Sequence, residues 1–127
     1  QAMSQAGAGH RFYIRLPESP DQVAGTVSLT SIVMGAFRSC FLGYKLDKDH
    51  LNRGLMTDAV GLVTDYAFSQ LQLHRIEANV MPWNRASLRV VEKNGYEPEG
   101  LAREYLYING QWEDHLHMVK RNQALRL

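Results

Sequence analysis

A short turn at Arg53-Gly54 separates a strand-like run from a long amphipathic helix, in the segment DHLNRGLMTDAV. The first N–H groups of a helix have no partner within the helix, and with those of a preceding turn they can bind an anion such as a pyrophosphate. Glycine lets the backbone approach the phosphates closely, and arginine can add a charge-assisted hydrogen bond. The sequence therefore predicts an anion site here, although an ordinary turn would show the same two residues.

Two polar residues farther along the chain, Asn84 and Ser87, follow a strand at 75–81 that ends at a proline. Asn84 is a favourable N-cap for a helix over 85–93. Ser87 lies one helical turn from it, so both side chains project towards the same region. Capping accounts for both residues, and a chemical role for the Ser87 hydroxyl is a second, separate interpretation.

The rest of the chain predicts the elements that must position these residues. Alternating, β-branched or aromatic runs indicate strands at 10–16, 23–33, 38–46, 75–81, 101–108 and 111–119. Asn109-Gly110, between the last two, is a strong hairpin signal. The helix after Gly54 has a core-facing stripe at helical spacing, made of Met56, Val60, Val63, Ala67 and Leu71. Along the chain, the order of these elements is three strands, a helix, a strand, a helix and two strands. This order predicts an α+β fold, with helices packed on the faces of a mixed, mostly antiparallel sheet.

Length and composition indicate one compact domain, 1–127, with a frayed lead-in at 1–9. The formal net charge of +1 gives no reason to expect binding to nucleic acid or to a membrane surface. The single Cys40, the absence of a long apolar run and the absence of a signal-peptide pattern lead to the expectation of a cytoplasmic location. No metal is expected, because no metal-ligand spacing is shown by His50, His74, His115 and His117.

Four segments, read together, resemble the GNAT acyltransferase superfamily and, within it, the ribosomal-protein-alanine N-acetyltransferase group. They are LNRGLMTDAV, HRIEANVMPWN, ASLRVVEKNGYEPEG and EYLYINGQWEDH, and the resemblance extends over roughly 23–120. The superfamily's phosphate signature begins with Gln or Arg and ends with Gly or Ala, whereas Leu51 and Met56 stand at those positions here. The resemblance implies that acetyl-CoA is the co-substrate and that the acetyl group passes directly to an amine, without a covalent enzyme intermediate.

The resemblance also implies roles for individual residues. The pantetheine arm of the cofactor would lie between the strands at 38–46 and 75–81, which separate in this fold. The cofactor-binding residues would be Tyr44, Lys45 and Leu46 through their backbone, Asn52, Arg53, Gly54, Leu55, Met56 and Thr57 around the pyrophosphate, and Asn84 at the pantetheine arm. The hydroxyl of Ser87 would protonate the leaving thiolate.

The expected acceptor is a primary amine, and a protein N-terminal α-amine of the ribosomal-protein type is preferred. Its pKa near 8 makes the neutral form cost about 1–1.5 kcal/mol at pH 7, against about 4.5 kcal/mol for a lysine. A modest base is therefore sufficient, and Glu104 is preferred over Glu77 for this role. An acetyltransferase for a small amine and a non-catalytic acyl-CoA-binding module are the alternatives that the sequence leaves open.

Domains of this group begin with a strand and two helices before the equivalent of the strand at 10–16. The resemblance therefore implies an N-terminally shortened form, in which this strand is a sheet edge and an apolar face is uncovered. The expectation is a chain that either self-associates, for example as a homodimer, or belongs to a longer polypeptide. Cofactor binding would be retained, and activity towards the acceptor would be reduced.

Overall fold

The computed structural model describes residues 9–46 and 54–125, and these ranges contain six strands and two helices. The strands are β1 (His10–Ile14), β2 (Gly25–Val33), β3 (Ser39–Leu46), β4 (Arg75–Val80), β5 (Glu97–Ile108) and β6 (Gln111–Arg121). The helices are α1 (Leu55–Ser69) and α2 (Arg85–Lys93). The elements follow one another in the predicted order, which confirms the α+β class. Neither described helix is long and apolar enough to cross a membrane.

The described strands form one sheet in the order β1-β2-β3-β4-β6-β5. Every neighbouring pair is antiparallel except β3 and β4, which run parallel. The pairing of β3 with β4 ends at Leu42 and Ala78, although both strands continue beyond these residues. A gap therefore opens between the two strands, as predicted.

The core lies between the sheet and α1. Of the predicted stripe, the helix buries Met56, Val60, Val63 and Ala67. Leu71 lies just beyond the helix end and packs against the same core. A fully buried Val or Met side chain contributes about 1.5–3 kcal/mol, so this stripe is the main attachment of α1 to the sheet.

Side chains of β3 and β4 alternate between the two faces of the sheet. The face that packs on α1 receives Cys40, Leu42, Tyr44 and Leu46 from β3. From β4 it receives Ile76, Ala78 and Val80. The intervening residues of β4, which include Glu77 and Asn79, therefore face the opposite side of the sheet.

Helix α2 and the hairpin turn have the predicted bounds, because local chemistry fixes both. α2 begins after Asn84 and closes at Asn94, which is followed by Gly95 with a φ of 85°. Asn109 and Gly110 have φ values of 52° and 82° and join β5 to β6. Positive φ at both central residues is what a two-residue turn of type I′ requires.

Some strand bounds differ from the prediction. The strand predicted at 10–16 ends at Ile14, and Leu16 lies beyond it in an isolated bridge. β5 begins at Glu97, earlier than predicted, because its pairing with β6 continues across a bulge. A second irregularity of β5 contains Glu104, whose φ is 47°. Bulges depend on the partner strand, so the alternation of one segment does not indicate them.

Candidate active site

Two adjoining cavities lie where the start of α1, the start of α2 and the end of β3 meet. The first, called the large cavity, has a volume of about 420 Å³ and is lined by Tyr44, Leu46, Gly54, Leu55, Met56, Thr57, Asn84, Ala86, Ser87, Arg89, Val90 and Lys93. The second, called the gap cavity, has a volume of about 220 Å³ and is lined by Leu42, Gly43, Tyr44, Ala78, Asn79, Val80, Met81, Asn84, Ser87 and His115. Tyr44, Asn84 and Ser87 line both cavities, which therefore meet at these residues.

The start of α1 presents backbone N–H groups to the large cavity. Gly54 is the N-cap residue, with φ 71° and ψ 1°, and no side chain caps the helix from this position. Leu55, Met56 and Thr57 form the first turn, whose N–H groups lack acceptors within the helix. Unpaired donors and the helix dipole together favour an anion at such a position. The structure thus brings these four predicted residues to one side of the cavity.

The start of α2 faces it. The side-chain oxygen of Asn84 accepts a hydrogen bond from the backbone N–H of Ser87 at 3.1 Å, which confirms the predicted N-cap. The cap uses the backbone N–H of Ser87 and holds the first turn of α2 in place, with Ser87 at the junction of the two cavities. Both residues are half-buried, and the structure brings them together as predicted.

The side chain of Tyr44 also reaches this junction. Its hydroxyl lies 2.6 Å from Oγ of Ser87 and donates to the carbonyl oxygen of Ser87 at 2.8 Å. Burial raises the pKa of the phenol, and the hydrogen bond with Ser87 opposes this rise only in part. Sequence reasoning selected Tyr44 for its backbone and missed its side chain, although its place on the core-facing side of β3 was a signal for it.

Two cations on α2 line the large cavity and were not predicted. Arg89 and Lys93 are exposed, and their spacing of four places them on one side of the helix. Among the described residues that line this cavity, there is no carboxylate. The cavity is therefore electrostatically suited to an anion, with backbone donors on one side and cations on the other.

A side chain at the end of α2 holds the two helices together. Nδ2 of Asn94 donates to the carbonyl oxygen of Thr57 at 3.0 Å and to that of Val90 at 2.9 Å. Gly61 makes room for this contact, because a Cβ at this position would lie 2.9 Å from Oδ1 of Asn94. The distance between the helices, and with it the width of the large cavity, depends on this side chain.

The other residues predicted for the cofactor fall into two groups. Leu46 lines the large cavity, whereas Lys45 is exposed on the other face of β3, so that a contact with the cofactor would use its backbone. Asn52 and Arg53, like Leu51, lie outside the described residues.

Neither predicted carboxylate lines the two cavities. Glu104 is exposed at the bulge of β5, and its backbone N–H donates to Oδ1 of Asp114 at 2.9 Å. Glu77 is better shielded, with 15% of its side chain exposed, and its oxygens lie 3.1 Å from Arg75 and 2.8 Å from Nδ1 of His117. A role of Glu104 as the base stays a prediction.

Two polar residues of the gap cavity were missed as functional candidates. Oδ1 of Asn79 is buried and has no hydrogen-bond partner among the described residues. His115 is 3% exposed, and its Nδ1 lies 3.0 Å from the carbonyl oxygen of Glu113. These residues come together only through the pairing of β4 with β6. No local sequence pattern indicates that these two strands are neighbours. Within 9–46 and 54–125, no group of three or more His, Cys, Asp or Glu side chains is arranged to hold a metal ion.

Comparison with known families gives one matching model, described as an acetyltransferase (GNAT) domain, over residues 1–97. The chain is 58% identical over 97 residues to the probable N-acetyltransferase YjcK of Bacillus subtilis, a match that covers 76% of this chain and 54% of the relative. It is 37% identical over 110 residues to the ribosomal protein uS5-alanine N-acetyltransferase of Escherichia coli, a match that covers 85% of this chain and 56% of the relative. The chain thus spans about half the length of these curated relatives.

The fold is similar to those of solved acetyltransferases. The ribosomal-protein-S5-alanine acetyltransferase of Vibrio fischeri matches with a TM-score of 0.89 and 36% identity, over 94% of this chain and 64% of that one. RimJ of Mycobacterium smegmatis in complex with CoA-disulfide matches with a TM-score of 0.86 and 33% identity, over 94% of this chain and 56% of that one. The spermidine N-acetyltransferase of Vibrio cholerae in complex with CoA and spermine matches with a TM-score of 0.80 and 26% identity, over 90% of this chain and 66% of that one.

Proposed function

Because the chain belongs to the GNAT acetyltransferase family, we propose that it transfers an acetyl group from acetyl-CoA to a primary amine, by direct attack of the amine on the thioester. The observation that carries this proposal is the junction of the two cavities at Tyr44, Asn84 and Ser87. An extended arm that begins at the start of α1 and enters the gap between β3 and β4 passes these three residues. Its reactive end then lies beside two hydroxyl groups.

The large cavity would hold the phosphate end of acetyl-CoA. The N–H groups of the first turn of α1 donate to the pyrophosphate, and the space around Gly54 is open, since a Cβ there would meet nothing within 4 Å. Arg89 and Lys93 add charge-assisted contacts from the opposite side. The CoA-disulfide bound by the related RimJ of Mycobacterium smegmatis supports this assignment. Asn52 and Arg53 belong to the proposed pyrophosphate turn.

The end of β3 would hold the pantetheine arm. From Gly43 to Leu46 this strand pairs with β2 on one side and not with β4 on the other. Its outward N–H and C=O groups are therefore open to the amides of pantetheine, which would lie along β3 like an added strand. One of these N–H groups, near Tyr44, would face the thioester carbonyl and stabilise the charge that develops there by about 3 kcal/mol.

Ser87 and Tyr44 would protonate the leaving thiolate. Their oxygens are 2.6 Å apart at the junction of the cavities. A phenol is protonated at neutral pH at its ordinary pKa, and burial raises the pKa of Tyr44 further. Ser87 is proposed as the residue next to the sulfur, and a proton that it gives up is replaced from Tyr44. Asn84 lies beside the pantetheine arm and keeps the first turn of α2 in position.

A protein N-terminal α-amine is the proposed acceptor. Its neutral form at pH 7 costs about 3 kcal/mol less than that of a lysine, and one relative is named for acetylation of the ribosomal protein uS5. A small amine is the second candidate, because the fold is also similar to that of a spermidine N-acetyltransferase. We place the reaction in the cytoplasm. A homodimer through the β1 edge of the described sheet is the proposed assembly.

Mass spectrometry of an amine panel tests this function. The protein is incubated with acetyl-CoA and with three acceptors: a peptide with N-terminal alanine, the same peptide with a blocked N-terminus and an internal lysine, and spermidine. We expect an acetyl group on the free α-amine. A label on spermidine alone would select the second candidate. No label on any amine, with CoA still bound in calorimetry, would replace acetyl transfer by a non-catalytic acyl-CoA-binding role.

A further inference from the structure

The gap cavity is lined by side chains from both faces of the sheet. Tyr44 and Ser87 approach it from the side of α1, where the proposed cofactor site lies. Asn79 and His115 line the same cavity and belong to the opposite face. The gap therefore connects the proposed cofactor site with the other side of the sheet. An acceptor that enters from that side meets Asn79 and His115 before it reaches the thioester.

Asn79 lines this cavity and carries a hydrogen-bond acceptor that no described residue uses. Its Oδ1 is buried without a partner among the described residues, although buried amide oxygens are nearly always paired. An unpaired polar atom of this kind costs a fold about 1–3 kcal/mol. A ligand that donates a hydrogen bond to Oδ1 would recover this free energy, so the ligand must carry an N–H or O–H group.

His115 lines the same cavity, and its imidazole can act as a base. A carbonyl oxygen can only accept, so the contact of Nδ1 with Glu113 at 3.0 Å places the hydrogen of the neutral imidazole on Nδ1 and its lone pair on Nε2. The ring of Tyr105 packs against the imidazole with 5.6 Å between the centroids. Asn79 of β4 pairs with His117 of β6. His115 lies two residues along β6 on the same face, so it is the diagonal neighbour of Asn79, and such neighbours lie about 7–8 Å apart.

We propose that Asn79 and His115 form the binding site of the acceptor, a primary amine, and that His115 is the base that deprotonates it. This inference rests on the proposed acetyl transfer and deepens it by naming residues on the acceptor side. One N–H of the ammonium donates to Oδ1 of Asn79 and orients the nitrogen, while Nε2 of His115 takes a proton from it. Glu77 and His117 lie on the same face of the sheet as Asn79 and His115. They are hydrogen-bonded to each other and do not line the gap cavity.

The reaction balances with these groups. Loss of one proton to His115 frees the lone pair of the nitrogen, which forms the C–N bond at the acetyl carbonyl carbon. The C–S bond breaks, and its electron pair goes to the sulfur, which takes a proton from Ser87. The nitrogen loses its second proton as the amide forms, and this proton passes to the Ser87–Tyr44 pair, where it replaces the one given to the sulfur. His115 releases the first proton to solvent, so the net products are the amide, the CoA thiol and one proton.

Two substitutions separate this site from the cofactor site. Asn79→Leu removes the acceptor atom and should raise KM for a peptide with N-terminal alanine by about tenfold or more, without a lower Tm, because a buried unpaired oxygen is lost. His115→Asn keeps an N–H for Glu113 but removes the base, and should lower kcat by about 100-fold. Added imidazole should restore part of that turnover. CoA affinity, measured by calorimetry, should stay within about twofold for both variants.

His117→Asn is the matched control, since His117 is an imidazole on the same strand and face that does not line the gap cavity. It should leave both kcat and KM for the peptide within about twofold of the wild type. If the wild type acetylates the peptide and Ser87→Ala is slow, but Asn79→Leu and His115→Asn behave like the wild type, the acceptor site is wrong and acetyl transfer stands. If both variants lose CoA, the residues belong to the cofactor site. A wild type that acetylates no amine overturns both proposals.

Discussion

The phenol oxygen of Tyr44 lies 2.6 Å from Oγ of Ser87 and 2.8 Å from the carbonyl oxygen of the same residue. Because the carbonyl can only accept, the phenol donates to it, and the Ser87 hydroxyl donates to the phenol oxygen. The two bonds attach the end of β3 to the first turn of α2, which lie 43 positions apart in the chain. For Ser87 to pass its proton to a ligand, its hydrogen must turn from Tyr44 towards that ligand. The phenol must then donate to Oγ of Ser87 instead of to the carbonyl oxygen.

Tyr44→Phe should lower kcat about as much as Ser87→Ala, by roughly 100-fold, if the two hydroxyls serve as one acid. The double variant should be no slower than either single variant, because groups that act as a unit are not additive. KM for acetyl-CoA should change little. Steady-state release of the CoA thiol measures these values. Normal turnover of Tyr44→Phe would reduce the contact to a structural one and leave Ser87 to act alone.

Gly54 and Gly35 form a matched pair for the phosphate site. Both have a φ of 71° and open space where a Cβ would lie, so valine at either position brings a similar backbone strain of about 1–3 kcal/mol. Only Gly54 lines the large cavity. Gly54→Val should weaken CoA binding in calorimetry by about tenfold or more, because the phosphates need a close approach to the N–H groups. Gly35→Val should bind CoA normally. Equal affinities for the two variants would remove α1 from the cofactor site.

Gly61 and Asn94 should show coupled stabilities. Gly61→Ala should lower the free energy of unfolding of the wild type, because the new Cβ would lie 2.9 Å from Oδ1 of Asn94. In the Asn94→Ala background the obstacle is absent, and the same change should raise the free energy of unfolding by about 1 kcal/mol through helix propensity. Urea unfolding of the four proteins measures both effects. The same sign in both backgrounds would mean that the Asn94 side chain moves aside.

Local chemistry explains which parts of the fold the sequence predicts. The Asn84 cap sets the start of α2, and Asn109-Gly110 sets the hairpin, because each feature depends on a few adjacent residues. Glu104 shows the opposite case. Its φ of 47° belongs to an irregularity in the pairing of β5 with β6, and a glutamate gives no sign of a positive φ.

The candidate site also has a part that depends on adjacent residues and a part that depends on distant ones. Gly54 and the residues after it are contiguous, so the anion site at the start of α1 could be predicted from spacing. The contact of Tyr44 with Ser87 joins segments that are distant in the chain. Asn79 and His115 become neighbours only because β4 pairs with β6. A single sequence shows the type of each residue but not which distant residue it will face, and this part of the site needed the structure.

Two buried weak acids, Cys40 and Tyr96, and the half-buried Tyr44 should make the fold sensitive to alkaline pH. Burial raises the pKa of the Cys40 thiol from 9.0 to about 12. Burial also raises the pKa values of the Tyr44 and Tyr96 phenols, against smaller opposing effects of their hydrogen bonds. Above the unfolded pKa, the unfolded chain has lost these protons while the folded chain keeps them, so the free energy of unfolding falls as pH rises. The fall should begin near pH 9 with the thiol, and each such group contributes about 1.4 kcal/mol per pH unit.

Cys40→Ala isolates the contribution of the thiol, which lies 3% exposed in β3. At neutral pH the variant should be less stable than the wild type, because it loses the packing of the sulfur. Above the thiol's unfolded pKa its stability should fall less steeply, by up to about 1.4 kcal/mol per pH unit, since one ionising group is absent from the unfolded chain. Urea unfolding of both proteins, in steps from about pH 7 to about pH 11, measures the two slopes. The curves should converge as pH rises. Parallel curves over this range would show that the thiol ionises as easily in the folded chain as in the unfolded one, which contradicts its burial between the sheet and α1.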